Sequence, residues 1–237
     1  MNILSVAAHQ DDIEMNCLGT LIKYARQGHK LTNLVMTNGD KGGQFDLTLP
    51  LIEVTAIRER EAGELARRLG ARYVCLGETD GYLSDTACLR DVVAEIIRQV
   101  RPDVVFVPPA VDYHLDHSET SRIALQAALT AAFATHRTAS PPLAYYPAIF
   151  YMEPTCGNNW LPSHYVDITE TIGEKCELLK CHESQMKNME TSSGWNLIEY
   201  AEIVGRFRGL QSGVKYAESF LNCTLWPRAS VNNNLLP

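Results

Sequence analysis

The segment NILSVAAHQDDIEMNCLGTLIKYARQGHKLTNLVMT, residues 2–37, decides the fold of this chain. Its first run, NILSVAA, predicts a strand, and LTNLVMT predicts a second one. Between them, CLGTLIKYARQG has helical spacing and ends at Gly28. Because both strand segments are apolar at nearly every position, we expect them to be buried on both faces of a parallel sheet.

The same alternation of strand and helix continues through the first two-thirds of the chain. The strands RYVCLG and DVVFVPP alternate with the helices AIREREAGELARRLG, CLRDVVAEIIRQVRP and SETSRIALQAALTAAFATH, the last with Ser118 as its N-cap. The final third is less regular, with strands LAYYPAIFYMEP and HYVDIT and helices EKCELLKCHESQM and LIEYAEIVGRFRGLQSG. We therefore expect one α/β domain over residues 1–237. Its Rossmann-like, mostly parallel sheet has the order 3-2-1-4-5, with helices on both faces.

Composition narrows the class of partner. A formal net charge of −7 gives no electrostatic footprint for a nucleic acid or an anionic membrane surface. No apolar run approaches the roughly 20 residues that span a bilayer, and a secretory signal pattern is missing, so we expect a soluble, cytoplasmic protein. The seven cysteines include no C-x-x-C pair and are expected to be reduced thiols. The terminal NNNLLP is expected to be frayed.

Two polar clusters follow the first and fourth predicted strands, at HQDDIE and VDYHLDH. In the order 3-2-1-4 these strands are neighbours at the topological switch point, so both clusters belong to the same mouth of the sheet. The imidazoles and carboxylates that come together are those of His9, Asp11, Asp12 and Glu14 in the first cluster and Asp112, His114, Asp116 and His117 in the second.

Imidazole nitrogen combined with carboxylate oxygen suits zinc, and a catalytic zinc has three protein ligands and an open position. An all-oxygen calcium or magnesium site fits less well because two histidines converge on the centre. A dinucleotide site fails because the turn lacks a G-x-G-x-x-G motif. We predict a site for one zinc ion, with iron and cobalt left open.

The sequence AHQDDIE resembles the A-H-P-D-D-E motif, and HLDH the H-x-D-H motif, of the LmbE-like (PIG-L) family of zinc-dependent N-acetylglucosamine deacetylases. The resemblance extends in family order through TNGDKGG, RERE, TDGYL, HYVDIT, HESQ and YAESF. It implies that His9, Asp12 and His117 hold the metal and that Asp11 is the general base. Gln10 stands where the family has proline, so other contacts must hold this turn.

The resemblance also implies a reaction: hydrolysis of the N-acetyl group of a GlcNAc-type amino sugar or glycoside, which releases acetate and a free amine. A protonated His114 would stabilise the oxyanion, with His114 or Asp11 returning a proton to the amine. Asp116 would orient His114 or raise the pKa of its imidazole.

Three further residues match family positions. Glu14 is either the last acid of the family motif, in the substrate site, or a carboxylate that complements the helix dipole. Arg58 and Asp80 match positions that line the sugar pocket. The alternatives are an exposed pair of Arg58 with Glu61 and an ordinary turn at Asp80.

Other functions stay open at this point. The same zinc site would serve an amidase that acts on a thiol conjugate or another acyl amide, and a non-catalytic metal- or sugar-binding module is a third alternative. Trp160 and Trp195 are either sugar-stacking platforms or packed aromatics. The resemblance implies a small N-acetyl sugar as the partner, and the oligomeric state is open, a homo-oligomer included.

Overall fold

A computed structural model describes residues 1–224, so the terminal NNNLLP lies outside the described residues. The strands are β1 (Asn2–Ala7), β2 (Lys30–Thr37), β3 (Arg72–Glu78), β4 (Val104–Val107), β5 (Ala148–Met152), β6 (His164–Asp167) and β7 (Ala217–Asn222). The helices are α1 (Asp12–Arg26), α2 (Leu51–Leu69), α3 (Ala87–Val100), α4 (Leu115–Ala131), α5 (Ile172–Leu179), α6 (Glu183–Ser193) and α7 (Leu197–Ser212).

The strands form one sheet in the order β3-β2-β1-β4-β5-β7-β6. The first five strands are parallel and have the predicted order, and β7 pairs antiparallel with both β5 and β6. In β1, Ile3 lies opposite Leu31 of β2 and Val104 of β4. The mixed α/β class is therefore confirmed, and the less regular final third extends the sheet by two strands.

Helices cover both faces of the sheet because successive side chains of a strand point to opposite sides. Ile3 and Ala7 of β1 pack in a core with side chains of α1, α5 and α7. Leu4 and Val6 point the other way, into a second core with α3 and α4. β1 is thus buried on both faces, as its mostly apolar run predicts.

Several predicted boundaries were wrong. α1 begins at Asp12 rather than Cys17, because carboxylates in a first helical turn complement the dipole and do not end the helix. α4 has His114 as its N-cap, with the His114 ring accepting a hydrogen bond from the Asp116 amide, so Ser118 lies inside the helix.

The segment EKCELLKCHESQM forms parts of two helices, α5 and α6, rather than one. The chain turns between them, and the amide and hydroxyl of Ser184 donate to Glu61 of α2 at 2.9 and 2.6 Å. These tertiary contacts stabilise the break in a segment whose spacing alone predicts a continuous helix.

Across residues 1–224, no helix combines the length and the apolar character of a membrane span. The seven cysteines are free thiols.

Candidate active site

The two polar clusters meet at the carboxyl edge of the sheet. β1 and β4 are hydrogen-bonded neighbours, so the segments that follow them lie side by side. His9 follows β1, Asp12 opens α1, and His117 lies in the first turn of α4. The topology therefore brings together side chains from distant parts of the sequence, as the strand order predicts.

His9, Asp12 and His117 form a compact set of potential ligands. His9 Nδ1 lies 3.4 Å from Asp12 Oδ2 and 3.3 Å from His117 Nε2, and His117 Nε2 lies 3.3 Å from Asp12 Oδ1. All three residues are buried, and the backbone amide of His9 donates to Asp12 Oδ2 at 2.8 Å. Two imidazole nitrogens and a carboxylate oxygen that face one another fit a divalent transition metal.

A carboxylate holds the far side of each of these imidazoles. His9 Nε2 lies 3.0 Å from Asp80 Oδ1, and His117 Nδ1 lies 3.1 Å from Asp112 Oδ1. Such carboxylate partners fix the ring orientation and the tautomer of metal-binding histidines. Sequence reasoning gave Asp112 no role, because its contact depends on how the His117 ring is turned.

The electrostatics of the set match a cation site. Burial opposes protonation of His9, but the carboxylates of Asp12, Asp116 and Asp80 together outweigh it and hold the pKa of that imidazole well above its usual range. Burial is likewise outweighed at His117, where Asp12 and Asp112 raise the pKa to about 10. The two imidazoles in turn hold the pKa of Asp12 well below its usual range despite burial. A bound metal ion would replace the protons that these rings otherwise carry.

Asp11 lies beside this set and is held by Arg58. The Arg58 Nη2 atom donates to Asp11 Oδ1 at 2.9 Å, and Nη1 donates to the carbonyl of Gly39 at 3.1 Å. A Cβ atom at Gly39 or Gly42 would lie only 2.7 or 2.3 Å from Arg58 Nη1. The glycine-rich loop after β2 is therefore what allows the guanidinium to reach Asp11.

These contacts decide one of the open alternatives. Arg58 is 3% exposed, and Glu61 accepts hydrogen bonds from Ser184, so an exposed Arg58–Glu61 pair is wrong. Both Arg58 and Asp80 line the cleft at the site, and Arg58 Nη1 lies 3.9 Å from Asp80 Oδ2. Their contact with a sugar stays a prediction.

The geometry around His114 differs from the expected one. The Asp116 carboxylate accepts the amides of Gly81 and Leu83 at 2.6 and 3.2 Å and lies 3.4 Å from His9 Nε2. Burial and the neighbouring His9 and His117 lower the pKa of His114, and they outweigh Asp116, which raises it. The expected protonated His114 is therefore replaced by a neutral imidazole whose Nδ1 accepts the Asp116 amide at 3.3 Å.

Asp116 also belongs to a second group of potential ligands, with His9 and His114. Because two backbone amides already occupy its oxygens, Asp116 is a poorer ligand than Asp12 in this structure. The group that contains Asp12 therefore offers the better set of potential ligands.

Glu14 lies behind the site rather than in the cleft. It is 3% exposed, and its Oε2 atom lies 3.9 Å from Nε2 of His182, a residue of the HESQ segment. Burial raises the pKa of Glu14 to about 8 and lowers the pKa of His182 to about 4, so both side chains are neutral near pH 7. Neither residue borders the cleft, so the prediction that Glu14 binds substrate has no contact in its favour.

The turn that carries Gln10 in place of proline is held by its own side chain. Gln10 is fully buried, and its amide nitrogen donates to the carbonyl of Thr37 at 3.3 Å. Thr37 in turn donates its amide and hydroxyl to the carbonyl of Ala8 at 2.9 and 2.8 Å. The turn is thereby tied to the end of β2, which supplies the other contacts that we expected.

The site opens into a cleft of about 360 Å³. Beyond the residues already described, it is lined mostly by polar and amide side chains: Lys41, Gln44, Tyr113, Thr155, Gln185, Asn188 and Met189, with Met15. Larger depressions of about 530 and 740 Å³ lie elsewhere on the surface, but the groups of potential metal ligands found in the described part of the chain lie at the cleft.

The two tryptophans considered as sugar platforms are packed aromatics. Trp160 is buried and donates its indole N–H to Ser219 at 2.8 Å. Trp195 stacks on Tyr200 with ring centroids 5.3 Å apart. Neither lines the cleft.

Comparison with known proteins identifies the family. The PIG-L family model, described as GlcNAc-PI de-N-acetylase, matches residues 4–128. The chain belongs to the PIG-L family. The description of this family model, together with the deacetylases among the relatives, supports an enzyme that acts on amide bonds.

Individual relatives of this PIG-L chain span nearly its full length. It is 26% identical over 226 residues to the diacetylchitobiose deacetylase of Thermococcus kodakarensis, covering 91% of this chain and 80% of the relative. It is 23% identical to the 4-oxalmesaconate hydratase of Pseudomonas putida, and this match covers 97% of this chain and 91% of the relative. The crystal structure of the conserved protein TT1542 from Thermus thermophilus superposes with a TM-score of 0.81 at 29% identity, over 99% of each chain.

Proposed function

We propose that the chain is a metal-dependent N-deacetylase that removes the acetyl group from a GlcNAc-type amino sugar or glycoside. One observation carries the proposal: Asp11 stands next to the set formed by His9, Asp12 and His117 but is held outside it by Arg58. A purely structural metal site needs no spare carboxylate, whereas hydrolysis needs a base beside the metal. The family membership and the deacetylase relative support the same reaction.

His9 Nδ1, His117 Nε2 and Asp12 would hold the metal, for which zinc suits the donor set. When bound, such a metal polarises an acyl oxygen and lowers the pKa of water. Asp80 and Asp112 keep the two imidazoles oriented through their other nitrogens.

Asp11 accepts the proton of the attacking water, whose oxygen forms a bond to the acetamide carbon. The carbon–nitrogen bond then breaks, and Asp11 returns the proton to the departing amine. Arg58 keeps the Asp11 carboxylate oriented between these two steps. Because Nδ1 of the neutral His114 accepts the Asp116 amide, its N–H lies at Nε2 and would donate to the oxyanion as negative charge develops.

The polarity of the cleft favours an uncharged, hydroxyl-rich substrate. Gln44, Gln185 and Asn188 offer amide donors and acceptors, which suit sugar hydroxyls. The cationic Lys41 is 3.0 Å from Asp40, and Arg58 is engaged with Asp11. A polycarboxylate, such as the substrate named for the hydratase relative, would be expected to need more unpaired cations.

Mass-spectrometric screening of N-acetyl sugars and glycosides tests this proposal, with and without a chelator. We expect acetate release from a GlcNAc-type compound, loss of activity on chelation, and recovery with zinc. A parallel panel of thiol conjugates and other acyl amides separates the alternative amidase. Hydration of an unsaturated acid without acetate release from any amide would contradict the proposal.

A further inference from the structure

A buried ion pair enters the interior of helix α1. Lys175 of α5 lies 2.7 Å from Glu218 of β7, and both side chains are almost completely buried. The Glu218 carboxylate accepts the backbone amides of Gly19 and Thr20 at 2.9 and 2.7 Å, in the middle of the helix. The pair therefore acts on the backbone of α1 as well as on its own charges.

The same ion pair also contacts the backbone carbonyl of Met15, four residues before Gly19. In a regular α-helix, the amide of Gly19 would donate to the carbonyl of Met15. Here the Lys175 ammonium donates to that carbonyl at 2.6 Å, and the Gly19 amide donates to Glu218. The ion pair thus contacts the backbone of α1 where its first turn joins the rest of the helix.

A further contact ties the neighbouring backbone to the same layer. The hydroxyl of Thr171, just before α5, donates to the carbonyl of Gly19 at 2.9 Å. A Cβ atom at Gly19 would lie 2.9 Å from Ile168, so the helix approaches this layer as closely as glycine allows. The segment before α5 and the ion pair therefore anchor α1 together.

The turn held in this way carries the proposed chemistry. The amide of Met15 donates to the carbonyl of Asp11 at 2.9 Å, and its carbonyl is the one bound by Lys175. Asp11, the proposed base, is therefore two hydrogen bonds away from Lys175, through the backbone of Met15, and Asp12, a proposed ligand, is the next residue along the chain. The YAESF segment, which contains Glu218, had no role at the level of sequence.

We propose that Lys175 and Glu218 are positioning residues that, through Met15 and Gly19, set Asp11 and Asp12 against the two ligand histidines. This inference rests on the proposed metal-dependent function. It predicts that removal of the pair disturbs metal binding and turnover more than its effect on folding accounts for.

The main test compares wild type with the double variant Lys175→Met and Glu218→Leu, which leaves no lone buried charge. Zinc affinity is measured by competition with a chelating dye. We expect binding roughly 10- to 100-fold weaker, the usual effect of disturbing groups behind metal ligands. We also expect kcat to fall with KM little changed, because the cleft residues that would contact the sugar remain in place. The single variant Lys175→Arg, which keeps the cation, should retain much of the zinc affinity and of the kcat that the double variant loses.

Arg98→Met is the matched control. Arg98 is also a buried cation that donates to backbone carbonyls, among them those of Ala131 and Phe133 at 2.9 Å, but these belong to the end of α4 and its following loop. The Arg98→Met variant should have a lower melting temperature than wild type and an unchanged zinc affinity. Equal zinc affinities in wild type and the double variant would overturn the inference.

A measurement without metal separates this inference from the proposed function. In the metal-free double variant, the amides of Gly19 and Thr20 lose their carboxylate acceptor, so we expect their hydrogen exchange to be at least tenfold faster, with α3 unchanged. The single variant Glu218→Gln, which keeps the shape of the side chain, provides the same test if the double variant does not fold. Failure of wild type to bind zinc would overturn the metal site, whereas unchanged exchange would overturn the positioning role.

Discussion

His117 and His182 are both buried at the N-terminal end of a helix, yet their surroundings shift the pKa values of the two imidazoles in opposite directions. Around His117, Asp12 and Asp112 outweigh the cost of burial and raise the pKa to about 10. Around His182 burial prevails and lowers the pKa to about 4. Burial alone therefore makes a neutral histidine, and adjacent carboxylates turn a buried imidazole into part of a cation site.

The difference also separates a functional histidine from a structural one. His117 shares its two nitrogens between the ligand set and Asp112. Both nitrogens of His182 lack a hydrogen-bond partner among the described residues, and its nearest acid is the neutral Glu14 at 3.9 Å. The variants below are expected to affect these two regions differently.

The largest effect is expected from His117→Asn. It removes a proposed ligand, so zinc affinity should fall by more than about 100-fold, beyond the loss usual for groups behind ligands, and acetate release should disappear. His182→Asn is the control, since it changes a histidine equally buried but away from the metal. Comparable loss of zinc from both variants, measured by metal analysis after dialysis, would contradict the distinction.

Asp11→Asn should rank next. It removes the proposed base but no ligand, so kcat should fall by about 10²–10⁴-fold, the usual contribution of general acid–base catalysis. Zinc content should stay at the wild-type level. An active Asn variant, or one that no longer retains zinc, would place Asp11 in a different role.

Asp112→Asn should have a smaller effect. The variant keeps an oxygen near His117 Nδ1 but loses the charge, so zinc should bind about 10- to 100-fold more weakly. Asp80→Asn should do the same through His9 Nε2. If zinc affinities match wild type in both variants, the carboxylates do not support the ligand histidines.

The smallest effect concerns stability and pH at His182. Its pKa in the folded chain, about 4, is below the ordinary value of 6.5, so between these values only the unfolded chain takes up the proton. Its contribution to stability is therefore complete above pH 6.5 and falls as the pH drops, by roughly 2 kcal/mol down to pH 4.5. In urea unfolding, His182→Gln should have a shallower pH dependence over this interval. Parallel curves for the two proteins would contradict the assignment.

Much of the site follows from the sequence because local patterns predict the alternating strands and helices, and right-handed crossovers then predict the strand order. The mostly apolar runs around Ile3 and Val104 predict two buried strands, and the order 3-2-1-4 makes these strands neighbours, so that the polar segments after them meet. The residue types His9, Asp12 and His117 indicate a metal site once that meeting is known. The family motifs add the prediction that one carboxylate, that of Asp11, is not a metal ligand.

The remaining features depend on rotations and distant contacts that no local pattern specifies. Whether Arg58 pairs with Asp11 or Glu61 depends on which face of α2 meets the sheet. The neutral state of His114 depends on its burial and on the charge of two histidines that folding brings near it. The contact of Lys175 with Glu218 joins helix α5 to β7, the last described strand.

A zinc titration of the metal-free protein, with acetate release from diacetylchitobiose or another GlcNAc glycoside as the readout, tests the central claim most directly. Activity should be absent without metal, rise in proportion to added zinc, and level off at one zinc per chain. Full activity in the metal-free protein, or no acetate release from any N-acetyl sugar with zinc bound, would contradict it.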